Sequence, residues 1–339
     1  MKVTYLFRSP ERGEFSIENV FENIIPEIEH EGYFVERAYM PCGRYNSVGA
    51  LIKNALFVRC LKTDIIHITG EVYFFALFVP SRKTVLTIHD FVLLENSSGL
   101  KYLFYKYFWY YLPIKKAAVT TYISKKTYDD AVRLFPRLNP YPKIIYDAFN
   151  VDLFIPYPKK EISKKILVVG TRNNKNVERI IKAVKDSDYQ LIIIGKLSEV
   201  QEKLLYEYAV NYRNSFSITN DEMYKIYGES DILCFPSLYE GFGMPIIEAQ
   251  AVGRPVITSN IPPMNEVAGN AAILVNPYNE MSIRDAIDTL LNDEKKYWEL
   301  VKLGFENIEK FTRNRIAAEY INEYEKMKKE YGHATENKK

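Results

Sequence analysis

Short runs rich in valine and isoleucine alternate with longer amphipathic stretches from one end of the chain to the other. In the first half the apolar runs fall at Val3–Phe7, Asp64–Ile68, Thr84–Ile88, Ala118–Ile123 and Lys143–Ile145. In the second half they fall at Lys165–Val169, Gln190–Ile194, Ile232–Phe235, Val256–Thr258 and Ala272–Val275. Near-continuous apolar strands of this length are covered on both faces rather than on one. Strands separated by helical stretches build parallel sheets, so the pattern predicts an α/β fold with doubly wound sheets.

Between the two sets lies Phe154-Ile-Pro-Tyr-Pro-Lys-Lys-Glu-Ile-Ser163. Two prolines spaced by one residue, followed by charges, suit an extended linker. This divides the chain into residues 1–155 and 156–312, each the size of one doubly wound domain. From Met281 onward the pattern is helical. Residues 313–330 form a last charged helix, expected to pack back on the first domain, and residues 331–339 form a flexible tail.

Composition narrows the function. The 339 residues are 47% hydrophobic and 26% charged, as in globular proteins. Lys and Arg total 45 against 43 Asp and Glu, a net charge of +2. A dedicated nucleic-acid binder would carry a clear basic excess, so nucleic acid is not an expected partner. Three cysteines (Cys42, Cys60, Cys234) without C-x-x-C spacing fit neither a disulfide framework nor a zinc site and point to a reducing cytoplasm. The start, Met1 to Arg8, is too short an apolar run for a signal-peptide core. The longest apolar runs, such as Tyr73–Pro80, fall well below the ~20 residues that span a bilayer.

The segment Asp231-Ile-Leu-Cys-Phe-Pro-Ser-Leu-Tyr-Glu-Gly-Phe-Gly-Met-Pro-Ile-Ile-Glu-Ala-Gln250 concentrates the chemistry. A buried strand ends near Pro236, a loop follows, and a helix begins near Pro245, because proline is preorganised for the first helical turn. Ligands of open α/β sheets collect at this carboxyl end of the strands. Gly241 and Gly243 let a ligand approach the backbone, and free amides at the helix start suit phosphate oxygens. Glu240 and Glu248, with seven residues between them, could each accept hydroxyl hydrogen bonds from a different sugar. The competing reading of Glu248 is a first-turn carboxylate that complements the helix dipole.

Glu240-Gly-Phe-Gly-Met-Pro-Ile-Ile-Glu248 resembles the Glu-x7-Glu motif of retaining nucleotide-sugar glycosyltransferases of family 4, the glycosyl transferases group 1. The resemblance extends through Ala249–Asn260, Glu266-Val-Ala-Gly269, Val169-Gly-Thr-Arg-Asn-Asn-Lys-Asn176, Ile88-His-Asp90 and Ile123-Ser-Lys-Lys126. It implies the GT-B fold, two Rossmann-like domains facing a central cleft, with the acceptor held by the first and the donor by the second.

Carried onto this chain, the resemblance implies that Glu248 binds the ribose diol and Glu240 the donor sugar. The amides of Phe242, Gly243 and Met244, with Gly241, line the sugar and pyrophosphate, while Lys175 and Arg172 hold the pyrophosphate. Two cations on one loop can neutralise a departing diphosphate without a metal, so no metal or cofactor is expected. The family often places an arginine directly after the glycine, where this chain has Thr171. His89 resembles the family's acceptor-side histidine, against the alternative of a satisfied core group. The loop Arg8–Glu18 lacks both a G-x-G-x-x-G and the paired glycines of many relatives, leaving Gly13 as a donor-contact candidate. Asp186-Ser-Asp188 resembles a metal-binding Asp-x-Asp but precedes a strand, so it reads as an exposed turn.

The expected activity is retaining transfer of a hexosyl group from a GDP- or UDP-sugar to a glycan or lipid-linked acceptor, in surface polysaccharide synthesis. The alternatives are a GT-B sugar-nucleotide epimerase and a non-catalytic sugar-nucleotide binding module. Tyr102–Leu112 holds five tyrosines interleaved with lysine. It reads either as a packed helix with tyrosine tips at the surface or as an interfacial helix making peripheral contact with the inner face of the membrane. Nothing in the sequence indicates an oligomeric state.

Overall fold

The computed structural model describes residues 1–10, 16–43, 47–138, 143–149, 154–158 and 161–336. The chain forms two compact units, Met1–Ala148 with Arg313–Lys339, and Phe149–Thr312. The proline-rich segment lies within the second unit for a local reason. The Tyr157 amide donates to the Val252 carbonyl at 3.2 Å, and the Tyr157 carbonyl accepts from Arg254 Nη2 at 3.1 Å.

The first unit holds β1 (Lys2–Phe7), β2 (Phe34–Tyr39), β3 (Ile65–Ile68), β4 (Thr84–Ile88) and β5 (Val119–Tyr122), all parallel, in the order β2-β1-β3-β4-β5. The expected strand at Lys143–Ile145 reduces to one bridge, Tyr122 to Ile144. One face of the sheet (Leu6, Ile66, Leu86) packs under the helix Val48–Cys60, the 3-10 turn Tyr73–Phe78 and the buried Trp109 and Tyr110. The other face (Val3, Tyr5, Val85) packs under the helices Ser16–His30 and Arg313–Glu336. A buried polar chain crosses this second layer: His67 Nδ1 lies 2.6 Å from Tyr324 Oη, itself 2.8 Å from Tyr5 Oη, and His67 Nε2 lies 2.8 Å from Thr87 Oγ1. Burial lowers the His67 pKa to about 3, so the ring is neutral at pH 7.

The second unit holds β6 (Lys165–Val169), β7 (Gln190–Ile194), β8 (Asn211–Ser215), β9 (Ile232–Phe235), β10 (Val256–Ser259) and β11 (Ala272–Val275). The order is β11-β10-β9-β6-β7-β8, again all parallel. The chain winds outward from β6 to β8, then returns to start β9 beside β6. The order therefore reverses between β6 and β9, where loops from neighbouring strands diverge and leave a crevice at their carboxyl ends.

Candidate donor site at the strand-order reversal

Two loops meet at that reversal. The first leaves β6 through Gly170, whose φ of +89° is left-handed. A Cβ there would come within 2.9 Å of Lys175 Cε, so the glycine makes room for the lysine to fold back over it. A single 3-10 turn, Asn173–Lys175, leads through Asn176 (φ 61°) into the helix Val177–Ala183. Asn176 is buried, and its Nδ2 donates to the carbonyls of Pro236 (3.0 Å) and Pro277 (2.7 Å), fastening three loops together.

The second loop leaves β9 at Phe235 and ends at Gly243, whose φ of 110° turns the chain into the helix Met244–Val252 with Pro245 in its first turn. The two loops are stitched by Asn174. Its carbonyl accepts from the Leu238 amide at 2.8 Å, and its Nδ2 donates to the Tyr239 carbonyl at 2.9 Å and, more weakly, to Glu240 Oε1 at 3.4 Å. Lys175 Nζ lies 2.7 Å from Glu240 Oε1 and 4.6 Å above the Phe235 ring. Both side chains of that ion pair are mostly shielded from water, which strengthens the attraction relative to a surface pair.

Glu248 stands one full turn into its helix, as the fifth residue from Met244, so it is not the first-turn partner of the helix dipole. Its Oε2 accepts a 2.7 Å hydrogen bond from the Tyr227 hydroxyl. Burial pushes the Glu248 carboxyl up, while the Tyr227 bond and the charge of Lys175 pull it part of the way back. Burial and the neighbouring carboxylate push the Tyr227 hydroxyl well up, so it stays protonated and donates. Sequence reasoning missed Tyr227 and Asn174. Tyr227 sits in another helix, Asn220–Glu229, and only the fold brings it to Glu248.

The structure thus gathers Lys175, Glu240, Gly241, Phe242, Gly243, Met244 and Glu248 on two adjoining segments of the second unit. Phe242 is buried edge-on against Phe311 (5.7 Å), which anchors the loop from below. Arg172, at the start of the 3-10 turn, is exposed; its carbonyl accepts from the Lys175 amide at 2.8 Å, which closes the turn. Thr171 donates its hydroxyl to the Lys196 carbonyl at 2.6 Å. Asp186 and Asp188 lie in the exposed turn before β7, with Asp188 paired to Lys164.

His89 lies in the first unit, at the carboxyl end of β4. Its Nε2 donates to the Thr69 carbonyl at 2.7 Å, because a carbonyl only accepts, and its Nδ1 faces Asp147 at 3.9 Å. Its amide bonds the Tyr73 hydroxyl and its carbonyl the Thr127 hydroxyl, both at 3.1 Å. The ring is therefore fixed by the protein itself. Beside it, at the reversal between β1 and β3, Arg8 grips Glu18 with two hydrogen bonds (2.9 and 2.7 Å) and Glu71 at 3.2 Å, a cluster with no motif in the sequence. Gly13 lies outside the described residues.

Two doubly wound parallel domains with these loops define a GT-B α/β protein. Sucrose-phosphate synthase from Thermosynechococcus elongatus superposes with a TM-score of 0.74 at 16% identity, over 96% of this chain and 99% of its own. Anabaena HepE in complex with UDP and glucose superposes with a TM-score of 0.72 at 14% identity, over 96% and 100%. Residues 152–306 match the model for glycosyl transferases group 1, so the second unit is similar to that family. The O-antigen chain mannosyltransferase RfbU of Salmonella typhimurium is 29% identical over 217 residues, 62% of this chain and 61% of that protein. The chain matches about three-fifths of the length of such curated relatives. No helix among the described residues is long and apolar enough to cross a membrane.

Proposed function

We propose that the chain is a retaining glycosyltransferase that moves a hexosyl group from a GDP- or UDP-sugar to a glycan or lipid-linked acceptor in surface polysaccharide synthesis. The observation that carries this reading is the placement of one ammonium, Lys175, against Glu240 and within electrostatic reach of Glu248. A nucleotide sugar has the matching sequence of groups: ribose hydroxyls, a dianionic diphosphate and sugar hydroxyls. Glu248 accepts from the ribose diol, Lys175 and Arg172 meet the diphosphate, and Glu240, released from Lys175 by the incoming anion, accepts from the sugar. The amides of Phe242, Gly243 and Met244, with Gly241, line the donor.

In the reaction the bond from the anomeric carbon to the diphosphate oxygen breaks. The acceptor oxygen bonds that carbon from the same face, and its proton passes to the departing phosphate. The chain's part is electrostatic: Lys175 and Arg172 hold the charge that develops on the leaving group, without a metal or cofactor. His89 positions the acceptor side of the first unit through its fixed backbone. Transfer takes place in the cytoplasm. The mannosyltransferase name of the Salmonella relative makes GDP-mannose the first donor to try.

The test is a panel of UDP-, GDP-, ADP- and dTDP-sugars screened by thermal shift, then by transfer to saccharide acceptors with the product's anomeric configuration read by NMR. Stabilisation by one donor, followed by retained configuration with EDTA present, supports the reading. Inverted product, loss of activity in EDTA, or an epimer formed from donor alone overturns it.

A further inference from the structure

The helix Val48–Cys60 and the segment Gly99–Lys116 flank the 3-10 turn Tyr73–Phe78 on one face of the first unit's sheet. All three pack inward on the same apolar core, so their outer surfaces look to the same side of that unit. Those outer surfaces are apolar. On the first helix Val48, Ile52 and Leu56, spaced four apart, form an exposed stripe, with Val48 73% exposed. On the second segment Leu100 (86% exposed), Phe104 and Phe108 form another. Residues Tyr105–Tyr111 wind as a π-helix, and its wider turn directs Trp109 and Tyr110 inward and Tyr107 and Phe108 outward. Phe104 and Phe108 stack on each other at 5.7 Å. Rings without a polar tip, Phe104 and Phe108, face water here beside the exposed Tyr107.

The charges on the two stripe-bearing segments have one sign, with exposed Glu95 on the adjoining helical turn Val92–Glu95 as a neighbouring acid. The helix Val48–Cys60 carries Lys53 and Arg59, and Gly99–Lys116 carries Lys101, Lys106, Lys115 and Lys116. Neither segment has an acidic residue. Lys101 and Lys106 lie over the rings of Tyr105 and Tyr102, along the same strip. On the adjoining helix Lys125–Leu134, Asp129 and Asp130 are ion-paired with Lys125, Lys126 and Arg133. The opposite face has no such excess: the four glutamates of the helix Ser16–His30 are ion-paired with Arg8, Arg37 and Arg313, and the helix Arg313–Glu336 beside it carries both signs.

From the exposed stripes and the basic residues beside them we infer that the face made by Val48–Cys60 and Gly99–Lys116 docks on an anionic lipid bilayer, with the two stripes set among the acyl chains and the lysines at the headgroups. Apolar stripes this exposed call for a covering surface, and the basic excess of the segments that bear them selects an anionic one. The inference deepens the reading of a lipid-linked acceptor, since it brings the unit that would hold the acceptor to where such a lipid resides.

The experiment is flotation of the full chain with phosphatidylcholine vesicles, with and without phosphatidylglycerol, across a salt series. Binding is expected only with phosphatidylglycerol and is expected to weaken as salt rises. Two variants separate the contributions: Lys101→Glu with Lys106→Glu, and Ile52→Ser with Leu56→Ser and Leu100→Ser. Each should lower the apparent vesicle affinity at least about tenfold. Their circular dichroism and nucleotide affinity, a property of the other unit, should stay unchanged. Flotation with neither vesicle, or equally with both, overturns the inference while leaving the transferase reading intact. A dimer in sedimentation velocity that the serine variant dissociates, without vesicle binding by the parent chain, assigns the stripes to a second copy instead.

Discussion

Replacing Glu248 in two ways separates its role in binding from its role in folding. In Glu248→Gln the side-chain carbonyl can still accept from Tyr227, and the charge that burial disfavours is gone. The stability of the second unit at neutral pH should then be unchanged or higher, because a carboxyl whose pKa is raised by burial costs stability wherever it is ionised. In Glu248→Ala the Tyr227 hydroxyl, in a residue with no solvent exposure, keeps only the long 3.5 Å contact to the Pro245 carbonyl. An orphaned buried hydroxyl costs ~1–3 kcal/mol. At ~2–4 °C per kcal/mol for a domain of this size, the alanine variant should melt a few degrees lower. Nucleotide affinity should fall in both. Charge-assisted hydrogen bonds are worth ~1.5–3 kcal/mol, so losing their charge or the acceptor weakens binding ~10- to ~150-fold. Titration calorimetry with the donor's nucleoside diphosphate, beside calorimetric unfolding of the three proteins, reads both quantities. Unchanged affinity in the glutamine variant would refute the ribose assignment. An equal loss of melting temperature in both variants would refute the account of Tyr227.

Other positions make further demands. Lys175→Ala should lower kcat ~100- to ~1,000-fold, more than it raises KM, since the ammonium acts most on the departing diphosphate; steady-state kinetics decide this, and an effect confined to KM counts against it. Gly170→Ala places a methyl group where Lys175 folds back, at a φ that costs an alanine ~1–2 kcal/mol, and should reduce turnover at least tenfold in a protein that remains folded by circular dichroism. His67 should make the first unit acid-sensitive. Its pKa is about 3 folded against 6.5 unfolded, so the unfolded state takes up the extra proton as pH falls below 6.5. That stability contribution is complete above 6.5 and is lost toward pH 3, with a slope approaching ~1.4 kcal/mol per pH unit. Urea unfolding of His67→Gln between those limits should lack this one-proton slope.

The central strands were legible because burial on both faces leaves a plain apolar run. The two strands that escaped, β2 and β8, are edge strands. Phe34 at the start of β2 is 67% exposed, Glu36 and Arg37 follow it, and β8 reads Asn-Tyr-Arg-Asn-Ser. Their place is set by main-chain pairing with β1 and β7, which has no side-chain signature. The loops carried their own marks, since Gly243 and Pro245 are required by backbone chemistry at a helix start. Tyr227 and Asn174 had none: each is an ordinary residue made special by a carboxylate or carbonyl from a distant stretch of chain. The Arg8, Glu18 and Glu71 cluster escaped for the same reason, since strand order alone brings Glu71 to Arg8.

The helix Arg313–Glu336 supplies Ile316, Ala317, Tyr320 and Tyr324 to the core that covers Tyr5 and Val85. The first unit is therefore assembled from two separated stretches, Met1–Ala148 and Arg313–Lys339, whereas Phe149–Thr312 is continuous. On a ribosome the continuous unit can complete its core while the earlier-made one still waits for the helix that starts at Arg313 to emerge. A premature stop shortly before residue 313 would spare the nucleotide-gripping half and leave the amino-terminal half with an uncovered sheet. Such a product would be prone to aggregate even though every residue of the Glu-x7-Glu loop is intact.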